Sequence, residues 1–141
     1  MKTVTITPKA SDVKRAWHHL SAKDQILGRL ASEVAQKLMG KHKTYYVPNI
    51  DCGDYVVVTD AKGIIVTGNK LLQKTYTRYS GFPGGLRTEN LKDMLARDAT
   101  KVFEHAVRGM LPENKLRDSR MNRLKVFEGE KHPYQDKLKE E

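Results

Sequence analysis

Between residues 27 and 39, apolar side chains recur at helical spacing. Leu27, Leu30, Ala31, Val34, Ala35 and Leu38 share one face of a 3.6-residue repeat. The pattern predicts a helix from about Leu27 to Met39, and Gly40 suits its end because glycine adopts the left-handed conformation that closes a helix. The next apolar stretch has another character. "YVVVT" (55–59) is continuous and β-branched, as expected of a strand buried on both faces of a parallel sheet. Ahead of the helix, "AWHHL" (16–20) is a short strand candidate with Trp17 as its core anchor. Strand, helix and buried strand in that order predict a βαβ unit.

Further along, "IIVT" (64–67) predicts another short strand. "KTYTRYS" (74–80) carries β-prone residues without an apolar face and reads as an extended surface segment. "GFPGG" (81–85) is a turn or loop, since three glycines and a proline leave little else. "NLKDMLAR" (90–97) predicts a short helix. "TKVFEHAVRGML" (100–111) predicts a longer one, with Val102, Phe103, Ala106, Val107, Met110 and Leu111 on one face and His105 on the polar side. Pro112 ends that pattern. If 114–124 is helical, Arg117, Arg120 and Arg123 share a half with Leu116, Met121 and Leu124, an arrangement that suits a seam between core and a polyanion. "LKVFEG" (124–129) predicts a last strand, and 130–141 reads as a frayed polar tail.

Charge changes the picture. The 141 residues carry a net charge of +9, a statement about partners rather than fold, and nucleic acid is the commonest such partner. Its layout says more than its total. Between Asp60 and Glu89 there is no acid, while Lys62, Lys70, Lys74, Arg78 and Arg87 lie there with Tyr76, Tyr79 and Phe82. Between Glu33 and Asp51 there is again none, and Lys37, Lys41, His42 and Lys43 fill the gap. No apolar run approaches the roughly 18–20 residues that cross a bilayer. The N-terminus lacks the apolar stretch of a secretory signal, and the single cysteine, Cys52, fits a reducing compartment. The chain reads as cytoplasmic, with no membrane partner.

A search for catalytic chemistry comes back empty. GxGxxG, GxxxxGK[ST], HExxH, CxxC and GxSxG are all absent. Cys52 beside a buried strand reads as a packing residue. Asp51 and Asp54 flank Gly53, where carboxylates commonly cap or turn the backbone. His18, His19, His42, His105 and His132 are scattered without zinc-ligand spacing, so no metal and no cofactor is expected. "TGNK" (67–70) reads either as an ordinary turn or as a phosphate contact made by Gly68, Asn69 and Lys70. RNA binding needs cations for phosphates and flat groups for unpaired bases, and "KTYTRYSGFPGGLR" interleaves them as Lys74, Tyr76, Arg78, Tyr79, Phe82 and Arg87. Tyr76 or Tyr79 taken singly fits packing on the core equally well. A free RNA-binding regulator, acting for instance on a messenger, and a small enzyme using a phosphorylated substrate at "TGNK" are further readings.

Six segments in order, "LGRLASEVAQKLMGKHK", "VPNIDCGDYVVV", "IIVTGNK", "YTRYSGFPGGL", "EHAVRGMLP" and "LKVFEGEKHP", resemble the bacterial-type L-thirteen family of large-subunit ribosomal proteins. The resemblance runs from about Trp17 to Pro133. It implies an α/β fold, a single three-layer domain over 1–141 (core about 14–129) with a small, mostly parallel sheet flanked by helices and basic loops. It also implies a non-catalytic role: binding large-subunit ribosomal RNA, supporting subunit assembly and lying beside other large-subunit proteins, not as a homo-oligomer. The family's RNA-facing motifs fall on Gly40 to Lys43, Thr67 to Lys70, Tyr76 to Leu86 and Gly109 to Pro112. With the neighbouring cations, the expected contacts are Lys37, Lys41, His42, Lys43, Gly68, Asn69, Lys70, Lys74, Tyr76, Arg78, Tyr79, Phe82, Gly84, Gly85, Arg87, Arg108, Lys115, Arg117, Arg120 and Arg123. The chain departs from the family after Pro112, where Glu113 stands in place of a usual lysine, and its short acidic tail carries no contacts over.

Overall fold

The computed structural model describes residues 7–138, so the first six residues and the last three of the expected polar tail lie outside it. Three strands, β1 (Trp17–Ser21), β2 (Tyr55–Thr59) and β5 (Leu124–Val126), form a parallel sheet in the order β1-β2-β5. The apolar run therefore occupies the centre, and Val56, Val57 and Val58 are each fully buried. Helix α1 (Leu27–Met39) connects β1 to β2, as a parallel pair requires. It ends at Gly40, whose φ of 82° lets its N–H reach back to the carbonyls of Gln36 and Lys37.

Between β2 and β5 the chain runs through α2 (Lys70–Gln73), β3 (Thr75–Tyr79), β4 (Leu86–Asn90), α3 (Leu91–Arg97), α4 (Ala99–Met110) and α5 (Arg117–Asn122). The apolar faces of α1 and α4 meet over one side of the sheet. Val34, Leu38, Val56, Val58, Phe103 and Val107 lie in that core, each burial of such a side chain stabilising by about 1.5–3 kcal/mol. Asp98 caps α4 by accepting the Lys101 N–H at 3.2 Å.

The structure differs from the sequence pattern in four places. Residues 64–67 are not a strand; only Ile65 bridges in parallel to Ile26. The segment 74–80 is extended and largely exposed as expected, but it is also paired: β4, which has no apolar alternation of its own, joins it as an antiparallel hairpin. Trp17 is half-buried on the outer face rather than a core anchor. It stacks on Tyr55, centroids 4.3 Å apart and 8° from parallel, and on Tyr134 at 5.3 Å. That contact explains the fourth difference: 130–138 is not frayed. Tyr134 lies on Trp17, His132 on His19, and the short helix α6 (Gln135–Leu138) brings Lys137 Nζ within 5.0 Å of the Trp17 ring centre. This C-terminal segment covers part of the sheet face opposite α1 and α4.

Candidate nucleic-acid interface

The β3–β4 hairpin sets the first part of the site. Its register places Arg78 directly opposite Arg87, and Tyr79 opposite Leu86. Directly opposed residues of an antiparallel pair project from the same face, so two cationic side chains leave the hairpin from neighbouring positions, an arrangement that costs stability when no anion separates them. Neither arginine has a carboxylate partner among the described residues. Glu89, the nearest acid on the hairpin, is held at 2.9 Å by Arg97. Beyond the pair, the tip exposes rings: Tyr79 is 64% and Phe82 74% exposed. Gly84 and Gly85 lie in the turn, where the Gly85 N–H donates to the Phe82 carbonyl at 2.9 Å.

Beneath the hairpin, a cavity of about 430 Å³ is lined by Tyr76, Arg78, Arg87, Arg97 and His105 among others. A second concavity of about 280 Å³ joins Arg78 to Lys101, His105, Arg108 and Met121. Arg108 is exposed, and among the described residues its one carboxylate partner is the exposed Asp118, 3.8 Å away. Arg78 and His105 border both hollows, with Arg87 and Arg97 in the first and Lys101 and Arg108 in the second; Glu89 and Glu104 also line them, but the cations outnumber the acids in each, the sign that suits a phosphate backbone. Arg97 and Lys101 escaped the sequence reading because each sits on a helix with a local acid.

Tyr76 faces inward at the hairpin's base. It packs on the core, lies 5.7 Å from the His105 ring, and has its hydroxyl pKa raised by burial. Lys74 Nζ lies 5.5 Å from the Tyr76 ring centre and is otherwise exposed, as are Gly68, Asn69 and Lys70 in the turn that opens α2.

The second expected cluster, at the end of α1, is turned largely toward the protein. Lys41 is exposed and Lys37 half-buried, but His42 and Lys43 converge on Asp54, which has no exposed surface. His42 Nε2 and His18 Nε2 each lie 2.9 Å from Asp54 Oδ2, the Ala16 N–H donates to Oδ1 at 3.1 Å, and Lys43 Nζ bonds the same Oδ1. Burial raises the Asp54 pKa, but the hydrogen bonds from Lys43, His18 and Ala16, with the Lys43 charge, outweigh it and hold the carboxyl below its ordinary value. Facing that anion, both imidazoles donate through Nε2. Lys43 also donates to the Lys14 carbonyl at 2.6 Å, so its ammonium joins segments of the protein. Two of the histidines that lack ligand spacing in sequence, His18 and His42, meet at Asp54 in space.

Arg120 and Arg123 require the clearest correction. Helical spacing puts both at the RNA seam; they are 1% and 7% exposed. Arg123 grips Asp51 with both terminal nitrogens at 2.6 Å and donates to the Leu38 carbonyl at 3.3 Å. Arg120 Nε lies 3.8 Å from the same carboxylate. Their half of α5 faces inward because Asp51 supplies the counter-charge, and Gly53 makes room: a Cβ there would sit 1.7 Å from the Leu38 carbonyl oxygen. Arg117 is half-buried against Glu113 at 3.2 Å, whereas Lys115 is exposed.

Comparison with known proteins gives one answer. The family model described as "Ribosomal protein L13" matches residues 15–133. The chain is similar to the large ribosomal subunit protein uL13 of Dehalococcoides mccartyi, at 55% identity over 130 residues covering 92% of this chain and 91% of that one. The protein of the same name from Thermobifida fusca is 49% identical over 131 residues, covering 93% and 88%. That of Kocuria rhizophila is 45% identical over 131 residues, covering 93% and 89%.

Proposed function

Given that the chain belongs to the ribosomal protein L13 family, we propose that it is a structural, non-catalytic constituent of the bacterial large ribosomal subunit, working in the cytoplasm. It binds large-subunit ribosomal RNA and supports subunit assembly, as one copy beside neighbouring large-subunit proteins. The observation that carries the reading is the opposed pair Arg78 and Arg87, without an acid partner among the described residues, at the edge of a hollow that Arg97 and His105 also line. A phosphate between the two guanidinium groups converts repulsion into two charge-assisted contacts. The exposed Tyr79 and Phe82 rings at the hairpin tip offer stacking surfaces to unpaired bases.

The residues divide by task. Arg78, Tyr79, Phe82, Arg87 and Arg108 face the RNA, with Lys41, Lys70, Lys74 and Lys115 as further phosphate contacts and Gly68, Asn69, Gly84 and Gly85 allowing close backbone approach. Lys43, Arg120 and Arg123 shape the surface from behind, and His42 lies at its edge with its ring on Asp54. Filter binding of the full chain to large-subunit ribosomal RNA, repeated from low to high salt, tests this. The Arg78→Ala/Arg87→Ala variant should bind more weakly, with a logarithmic salt slope shallower by about one unit for each phosphate no longer neutralised. Unchanged affinity and slope would place the RNA elsewhere.

A further inference from the structure

His18 lies on β1 and His42 lies beyond α1, yet both present Nε2 to a single carboxylate oxygen, Asp54 Oδ2. Their rings are perpendicular with centroids 5.6 Å apart, and one ligand atom from each of the three residues lies within 4.8 Å of the others. Asp54 is fully buried and His18 half-buried, while His42 is exposed, so the cluster is walled on one side and open on the other. We infer that His18, His42 and Asp54 form a binding site for one divalent transition-metal ion, zinc being the best match, with its remaining position open to solvent beside His42.

Two imidazoles and a carboxylate oxygen are a zinc donor set, and zinc sites with three protein ligands keep a fourth position for water. Bonds of about 2.0–2.1 Å at tetrahedral angles put ligand atoms roughly 3.4 Å apart, so each imidazole withdraws from Oδ2 by about half an ångström while the two Nε2 atoms, within 4.8 Å of each other, settle to the same spacing. The two Nε2–H···O hydrogen bonds give way to metal bonds, and each neutral imidazole carries its proton on Nδ1 instead. Lys43 decides which ions fit. Its ammonium remains on Oδ1 and opposes a second cation, so the site disfavours calcium and magnesium, which bind through uncompensated oxygen charge. An ion that gains strong bonds from imidazole overcomes that opposition, as zinc, cobalt, nickel and copper do.

Isothermal titration of the tag-free full-length chain with zinc chloride tests the proposal, alongside His18→Gln and His42→Gln. Each glutamine can still donate an N–H toward Asp54 but is a poor metal ligand, and circular dichroism checks that each variant folds. The expected result is one equivalent of zinc bound by the wild type. Each variant should be weakened by more than the roughly 10–100-fold that loss of an outer-shell partner costs. His132→Gln should leave binding unchanged, and excess magnesium should not compete. Cobalt(II) added to the wild type should give visible bands of a nitrogen- and oxygen-ligated ion, a readout that needs no variant. No stoichiometric zinc binding, absence of those bands, or folded glutamine variants that bind as the wild type does would each overturn the proposal and leave the cluster as a hydrogen-bonded cage.

Discussion

Asp51 faces two buried guanidinium groups, so its removal is the most severe test of how this fold is held. Arg123 makes two bonds of 2.6 Å to it, and Arg120 Nε waits at 3.8 Å with no hydrogen-bond partner of its own among the described residues. The Asp51 side chain is 14% exposed and that of Arg123 8%, so solvent screening relieves little of the loss. Asp51→Ala deletes both charge-assisted bonds and strands two cations, whereas the fold keeps its apolar core. Breaking a buried pair from one side costs about 3–5 kcal/mol. For a chain of this length that corresponds to a fall in Tm of roughly 10–20 °C. Urea unfolding followed at 222 nm measures it. Replacing the pair together, as Asp51→Leu/Arg123→Met, should recover part of the loss, because the stranded charge rather than the lost attraction dominates. A cost below about 1 kcal/mol for Asp51→Ala would refute the placement of Arg120 and Arg123 as interior groups.

Three further outcomes follow from other parts of the molecule. Arg78→Ala/Arg87→Ala should leave stability unchanged or raise it by up to about 1 kcal/mol, since it removes a like-charged cross-strand pair; thermal unfolding without RNA checks this. Asp54 has a lowered pKa in the fold, so its contribution to stability is complete above the ordinary value of 3.8 and is lost as pH falls through the folded value. Asp54→Asn should be less stable at neutral pH and lose less stability over that acid window than the wild type, as unfolding at stepped pH would show. Tyr134→Ala should loosen the C-terminal segment and expose Trp17, the single tryptophan, shifting its emission to the red while far-ultraviolet ellipticity holds.

The elements that advertised themselves were those whose burial follows a period. The apolar face of α1, the continuous run of β2 and the face of α4 each state their environment locally, and all three lie where the pattern puts them. The β3–β4 hairpin does not, because β4 is a polar strand whose only structural reason is its partner. The same limit governs the arginines of α5. Helical spacing places Arg120 and Arg123 on one half, but a carboxylate some seventy residues earlier decides that this half faces inward. His18 joins Asp54 through the parallel register of β1 on β2: His18 pairs with Val56, two residues beyond Asp54 and on the same face. Alternation before β2 carried that signal, once the register was known. The basic, aromatic character of 74–87 was legible from its acid-free run, while its pairing as a hairpin and the hollows beneath it required β4 and the packing of α4.

The central claim is that this chain is built into the large ribosomal subunit through the hairpin and the cations beneath it. Lysate from cells expressing the wild type or the Arg78→Ala/Arg87→Ala variant, sedimented through a high-salt gradient, measures this most directly. Loose electrostatic passengers are stripped under those conditions. The wild type should co-migrate with the large subunit, and the folded variant should shift toward the top. A wild type that stays at the top of the gradient would contradict the claim and favour a free RNA-binding regulator.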